Sequence, residues 1–153
     1  MDKINKILFT NFKKEFENYK SILGVNDYEY NNAIKNKKWI GNNLCGPSTV
    51  ICCYLLKKYK YKVYKNVYGF GYYQEDHTFI IIDDYIYVDP TYLQFINNNN
   101  SLPCFYIGTY DDLKLIINSN SELNLMKLWD KTNDITDKVN KFINKYFDKK
   151  TIL

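Results

Sequence analysis

Residues 75–91 read EDHTFIIIDDYIYVDPT and contain the only histidine of the chain. His77 opens one predicted strand and Asp89 closes the next, with the Asp83–Asp84 pair at the turn between them. Two registers compete. A two-residue loop at Asp83–Asp84 pairs His77 with Pro90 and sets Asp89 on the other face. A three-residue loop, or a bulge, places His77 directly opposite Asp89 on the same face. The apolar pattern selects the second. Ile80, Ile82, Ile86 and Val88 then form one aliphatic surface suited to a core, and Phe79, Tyr85 and Tyr87 accompany His77 and Asp89 on the other. Imidazole and carboxylate come within reach of each other.

Upstream, Ile4, Ile7, Leu8, Phe12, Phe16, Tyr19 and Leu23 recur at helical spacing, and Gly24 ends that helix. Residues 27–38 read as a short helix or loop. A strongly apolar helix covers Thr49 to Tyr59, with Pro47 in its first turn, where a missing N–H costs nothing. From Lys60 to Tyr92 the period becomes that of strands, broken at Gly69, Gly71 and Asp83–Asp84. Cys104 to Gly108 reads as a further strand and Tyr110–Asn118 as a helix with Asp111 and Asp112 in its favourable first turn. Ser121–Leu128 and Asp137–Phe147 read as helices, the last presenting Val139, Phe142, Ile143 and Phe147. Helices, then antiparallel strands, then helices make an α+β domain.

At 153 residues the chain is expected to form a single domain, 1–153, burying roughly two-thirds of its unfolded surface. Its 46% hydrophobic and 25% charged residues are those of a soluble globular protein. The formal charge of +4 is mild and points to neither nucleic acid nor a membrane. All 21 basic residues are lysine, beside 20 asparagines and 16 tyrosines. That bias reflects an AT-rich coding sequence, so neither Asn97–Asn100 nor the lysine excess carries functional weight. No segment approaches the roughly 20 apolar residues of a membrane span. The opening residues lack the apolar run and cleavage site of a signal peptide. Four cysteines without a spaced framework suit free thiols in a reducing compartment. A cytoplasmic location follows as the expectation, with delivery into another cell by an unconventional route left open.

Three of the four cysteines lie in NNLCGPSTVICC, residues 42–53. A cysteine is nucleophilic as the thiolate, which the unpaired N–H groups at a helix start favour. An imidazole can take the thiol proton and later protonate a leaving amine. A carboxylate on the second ring nitrogen fixes the tautomer and stabilises the imidazolium. Cys45, His77 and Asp89 could supply these three parts. An oxyanion would need donors, for which the backbone N–H of Cys45 and the side chains of Asn42, Asn43 and Gln94 are the candidates. Cys52 and Cys53 fall further along the helix and read as core.

NNLCGPS, DHTFII and YVDPTYLQF together resemble the core of the papain-like and transglutaminase-like thiol enzymes, which use Cys, His and Asp in that chain order. The resemblance implies a cysteine beginning a helix packed on an antiparallel sheet whose strands carry the other two. DPTYLQF followed by PCFYIGTYDDL looks most like the protein deamidase domains of bacterial toxins and effectors. There an Asp is followed five residues later by a Gln important for activity, and Asp89 with Gln94 keeps that interval. Trp39 stands where papain-type enzymes carry a Gln. The resemblance covers residues 39–118. It implies an acyl-transfer enzyme acting on a carboxamide of a protein or peptide substrate by deamidation or transamidation, without metal or organic cofactor.

Other functions compete with this one. A papain-like protease or isopeptidase would use the same residues. A non-catalytic binding or structural protein could keep the fold. Adjacent Cys52 and Cys53 lack the spacing of a zinc site. Lysines alternating with tyrosines in KKYKYKVYKNVY read as an edge strand with a solvated face rather than a single-strand nucleic-acid platform. GFG at 69–71 lacks the strand–helix setting of a phosphate loop.

Overall fold

The computed structural model describes residues 1–70, 73–97, 101–121 and 124–148. Gly71, most of the asparagine run and the last residues of the chain lie outside them. The described residues form a mixed α+β structure of five helices, a four-stranded antiparallel sheet and a small two-stranded hairpin.

α1 (Asp2–Tyr19) buries Ile4, Leu8, Phe12, Phe16 and Tyr19 along one stripe, the consequence of apolar residues spaced by three and four. Gly24 closes the turn after it at φ +74°, a left-handed conformation that glycine adopts without a Cβ clash. α2 (Asp27–Asn32) begins with a reciprocal cap in which the Asn26 side chain accepts from the Glu29 N–H and Glu29 accepts from the Asn26 N–H. β1 (Ile34–Lys35) and β2 (Lys38–Trp39) pair through Asn36 and Lys37, both at positive φ, as a two-residue hairpin turn demands.

α3 (Cys45–Leu55) is buried nearly all round from Ile51 to Leu55. The main sheet follows as β3 (Tyr61–Phe70), β4 (Tyr73–Ile82), β5 (Ile86–Asp89) and, after a 3-10 turn at Tyr92–Phe95, β6 (Tyr106–Gly108), neighbours in chain order. α4 (Tyr110–Asn120) starts from Thr109, whose hydroxyl accepts from the Asp112 N–H, and α5 (Thr136–Tyr146) ends the described fold.

The β4–β5 register settles the opening question of faces. Ile80 pairs Val88, Ile81 pairs Tyr87 and Ile82 pairs Ile86, leaving Asp83, Asp84 and Tyr85 as a three-residue loop. Ile80, Ile82, Ile86 and Val88 share one face, packed with α1 and α3. Phe79, Ile81 and Tyr87 lie in a second core on the opposite face, with Leu113 and Ile117 of α4. The direct pairing differs from expectation. Continued through this register, Thr91 is opposite His77 and Phe79 opposite Asp89, so imidazole and carboxylate are diagonal rather than directly paired. The loop has the expected three residues, and counting back from Ile82 paired with Ile86 sets His77 against Thr91. Direct pairing with Asp89 would need a one-residue connection, so the expected pairing is wrong by two positions while the shared face is right.

Of the expected Ser121–Leu128 helix, positions 122 and 123 lie outside the described residues, and the described remainder forms no α-helix. The chain leaves α4 extended at Ser121, and its apolar residues make a single 3-10 turn at Met126–Trp129 that fills the second core. β3 is the sheet edge, with Lys62 and Lys65 exposed on it. Part of the edge is also covered: Lys65 donates its N–H to the Asn133 carbonyl, and Ile135 donates to that of Val63. Among the described residues no helix is long and apolar enough to cross a membrane.

Candidate active site

Cys45 occupies the first turn of α3 and is half-buried. The approach is built by backbone conformation. Gly41 turns at φ +68° and Asn43 at φ 62°, and Leu44 N–H donates to the Gly41 carbonyl. A Cβ at Gly41 would lie 2.4 Å from the Thr91 methyl. The loop before the nucleophile candidate is therefore seated directly on the chain after Asp89. Beside Cys45, a Cβ at Gly46 would meet nothing within 4 Å, so this side is open to a ligand. One turn along, the Thr49 hydroxyl donates to the Thr78 carbonyl at 3.2 Å, tying α3 to β4 next to His77.

His77 is fully buried. Its Nε2 is 2.5 Å from Asp89 Oδ2. Asp89 is itself held from two further sides: Oδ1 accepts from the Thr91 N–H at 2.9 Å, and Oδ2 accepts from Trp129 Nε1 at 2.6 Å. Phe95 meets the imidazole edge-on at 4.8 Å between centroids, and Trp129 at 5.2 Å. These contacts leave the ring one orientation, with Nδ1 making no hydrogen bond of ordinary geometry. Burial works against the charged ring, but the Asp89 carboxylate and then Cys45 outweigh it and raise His77 from 6.5 to about 9. The imidazole thus has one nitrogen committed to a carboxylate and the other without a hydrogen-bond partner among the described residues.

Gln94 lies in the 3-10 turn after β5 and is half-buried. Its Oε1 accepts from the Asn43 N–H across a long 3.4 Å. With the amide oriented by that contact, Nε2 is a buried donor without a partner. Asn42 and Asn43 are exposed, and Asn43 joins the site through its backbone rather than its side chain. Trp39 donates to Ser48 at 3.2 Å and packs on Phe12 and Phe16, which makes it part of the core. α1 is likewise core rather than a cover over the site.

Burial pushes both the Cys52 and Cys53 thiols upward, and the charge of nearby Asp89 adds to the effect on Cys52. They remain protonated fillers beneath the site. Comparison with protein-family models, with curated proteins and with solved structures finds no match. Among the described residues no group of three or more His, Cys, Asp or Glu side chains is arranged to hold a metal ion.

Trp129 is the site residue that sequence reasoning missed. It lies 40 positions from Asp89 and beyond the stretch that resembles thiol enzymes. One signal was available: a tryptophan in an apolar run needs a buried acceptor for its N–H.

Proposed function

We propose that the protein is a cysteine-dependent acyl-transfer enzyme with a papain-like or transglutaminase-like arrangement, acting on a carboxamide of a protein or peptide. The observation that carries this is the fully buried imidazole fixed through Nε2 by Asp89, with a half-buried cysteine at the start of α3 adding to the rise of the ring's pKa. A buried histidine satisfied on both nitrogens would be structural. Here one nitrogen is fixed by Asp89 and the other has no hydrogen-bond partner among the described residues.

In this reaction the Cys45 sulfur attacks the carboxamide carbon as a thiolate whose proton already resides on His77, the imidazolium that its raised pKa favours. The tetrahedral oxyanion accepts from the Cys45 N–H and from Gln94 Nε2, the buried donor with no other partner. Collapse breaks the C–N bond, His77 returns the proton to nitrogen, and ammonia leaves a thioester on Cys45. Water then attacks the thioester, giving its proton to His77, and the carboxylic acid departs as the thiol is restored. Asp89 steadies the imidazolium at each stage, and Trp129 and the Thr91 N–H steady Asp89.

The Asp89–Gln94 interval, which is that of the deamidase domains this stretch resembles, favours deamidation over proteolysis, although an oxyanion donor at Gln94 would serve either reaction. Ammonia release from a glutamine-rich protein such as casein, measured beside the count of new amino termini, tests this. Ammonia without new termini, abolished in Cys45→Ala, is expected. New termini with no excess ammonia would make the enzyme a protease, and neither product would remove the carboxamide reading.

A further inference from the structure

An open pocket of about 420 Å³, which Trp129 helps to line and Cys45 does not, lies between the β4–β5 loop, the start of α4 and residues 129–131. Its floor is aromatic: Trp129 and Tyr87 are buried there, and Tyr110 packs on Tyr87 at 5.4 Å between centroids. Tyr85 stands at the rim, 59% exposed. Three carboxylates, Asp84, Asp111 and Asp130, line the same opening. They come from separate segments that the fold brings together. The carboxylates reach the floor: Tyr87 is raised by burial, then by Tyr110 and Asp130, and Tyr110 is raised by burial, then by Asp130 and Asp111.

One cation is already drawn to this surface. Lys131 sets its ammonium 6.0 Å from the Tyr87 ring centre while donating to the Asp84 carbonyl. The local charge also opposes that of the molecule, which carries +4 overall. A cationic ligand would therefore be repelled by the protein at large and attracted here.

We propose that this pocket binds an arginine side chain of a partner peptide. A planar guanidinium can stack on a tyrosine face and fork onto a carboxylate at the same time, which a lysine ammonium cannot. The aromatic floor with carboxylates on several sides fits that group better than a simple point charge. The site stands apart from the thiol chemistry and does not depend on it, although Trp129 forms a wall of both.

The test uses fluorescein-labelled tetra-arginine and tetra-lysine peptides, followed by anisotropy at about 0.1 M salt, where long-range surface attraction is largely screened. Tetra-arginine should bind the whole protein more tightly than tetra-lysine. The Asp111→Asn/Asp130→Asn double variant should weaken arginine binding about tenfold or more, while Lys131→Met, which removes the competing cation, should tighten it. Asp137→Asn, which removes an exposed carboxylate on α5, should leave it unchanged. Unaltered thermal melting and cysteine reactivity in each variant would show that the fold is intact. Absence of binding, equal affinity for tetra-lysine, or an equal loss in Asp137→Asn would overturn the proposal.

Discussion

At the scale of single residues, His77 is the point where burial and charge oppose each other and charge prevails. Its folded value lies above 6.5, so the stability it contributes is fully present below pH 6.5 and is lost as pH rises through about 9. Because the chain has one histidine, its ring resonance titrates alone in a proton NMR spectrum. The midpoint should lie near 9 in the wild type and fall in Asp89→Asn; a wild-type midpoint at or below 6.5 would show that Asp89 does not govern the ring. Trp129 acts on the same pair from the other side. Trp129→Phe keeps an aromatic ring but removes the donor to a buried carboxylate. It should destabilise the protein by about 2 kcal/mol in denaturant unfolding, the scale of a hydrogen bond to a charged group. A change under about 0.5 kcal/mol would mean that Asp89 finds another donor.

At the scale of elements, the loop before α3 and the turn after β5 act as one unit, joined where Gly41 seats on Thr91 and where the Asn43 N–H meets Gln94. Gly41→Ala meets both a positive φ and a 2.4 Å contact. A cost of about 2–3 kcal/mol in stability is expected, with loss of alignment at Cys45, read by denaturant melts and thiol labelling together. A neutral Gly41→Ala would show that the two segments are not locked. The sequence announced much of this region because its signals are local. Alternation in 75–91 revealed which residues share the His77 face, and the Gly–Pro pair marked the start of α3. The diagonal placing of His77 and Asp89 also follows from the three-residue loop once the positions are counted; what the sequence could not reveal was the short turn at Met126–Trp129. In that turn the apolar residues are demanded by the second core, and local helical preference is overridden.

At the scale of the whole molecule, one sheet carries a core on each face, and its two inner strands carry His77 and Asp89. The two cores share β4 and β5, so they should unfold together. Phe16→Ala on one side and Leu128→Ala on the other each empty a fully buried position. Each should shift one common thermal transition, at a cost of about 3–5 kcal/mol for the phenylalanine and 2–5 for the leucine. Two resolved transitions would contradict a single cooperative unit. Long-range organisation was the least legible part of the sequence. The C-terminal third closes the β3 edge through Asn133 and Ile135 and supplies Trp129 to Asp89, yet none of these contacts leaves a periodic trace near the residues it serves.

The central claim is that Cys45 is an activated nucleophile paired with His77, and its most direct test is site-resolved alkylation by iodoacetamide near neutral pH, followed by mass spectrometry. Cys104 is the proper internal comparator, since it is half-exposed like Cys45 whereas Cys52 and Cys53 are buried. Cys45 should react about tenfold or more faster than Cys104 in the wild type, and His77→Ala should bring the two rates together. Equal rates at Cys45 and Cys104 in the wild-type protein would contradict the account.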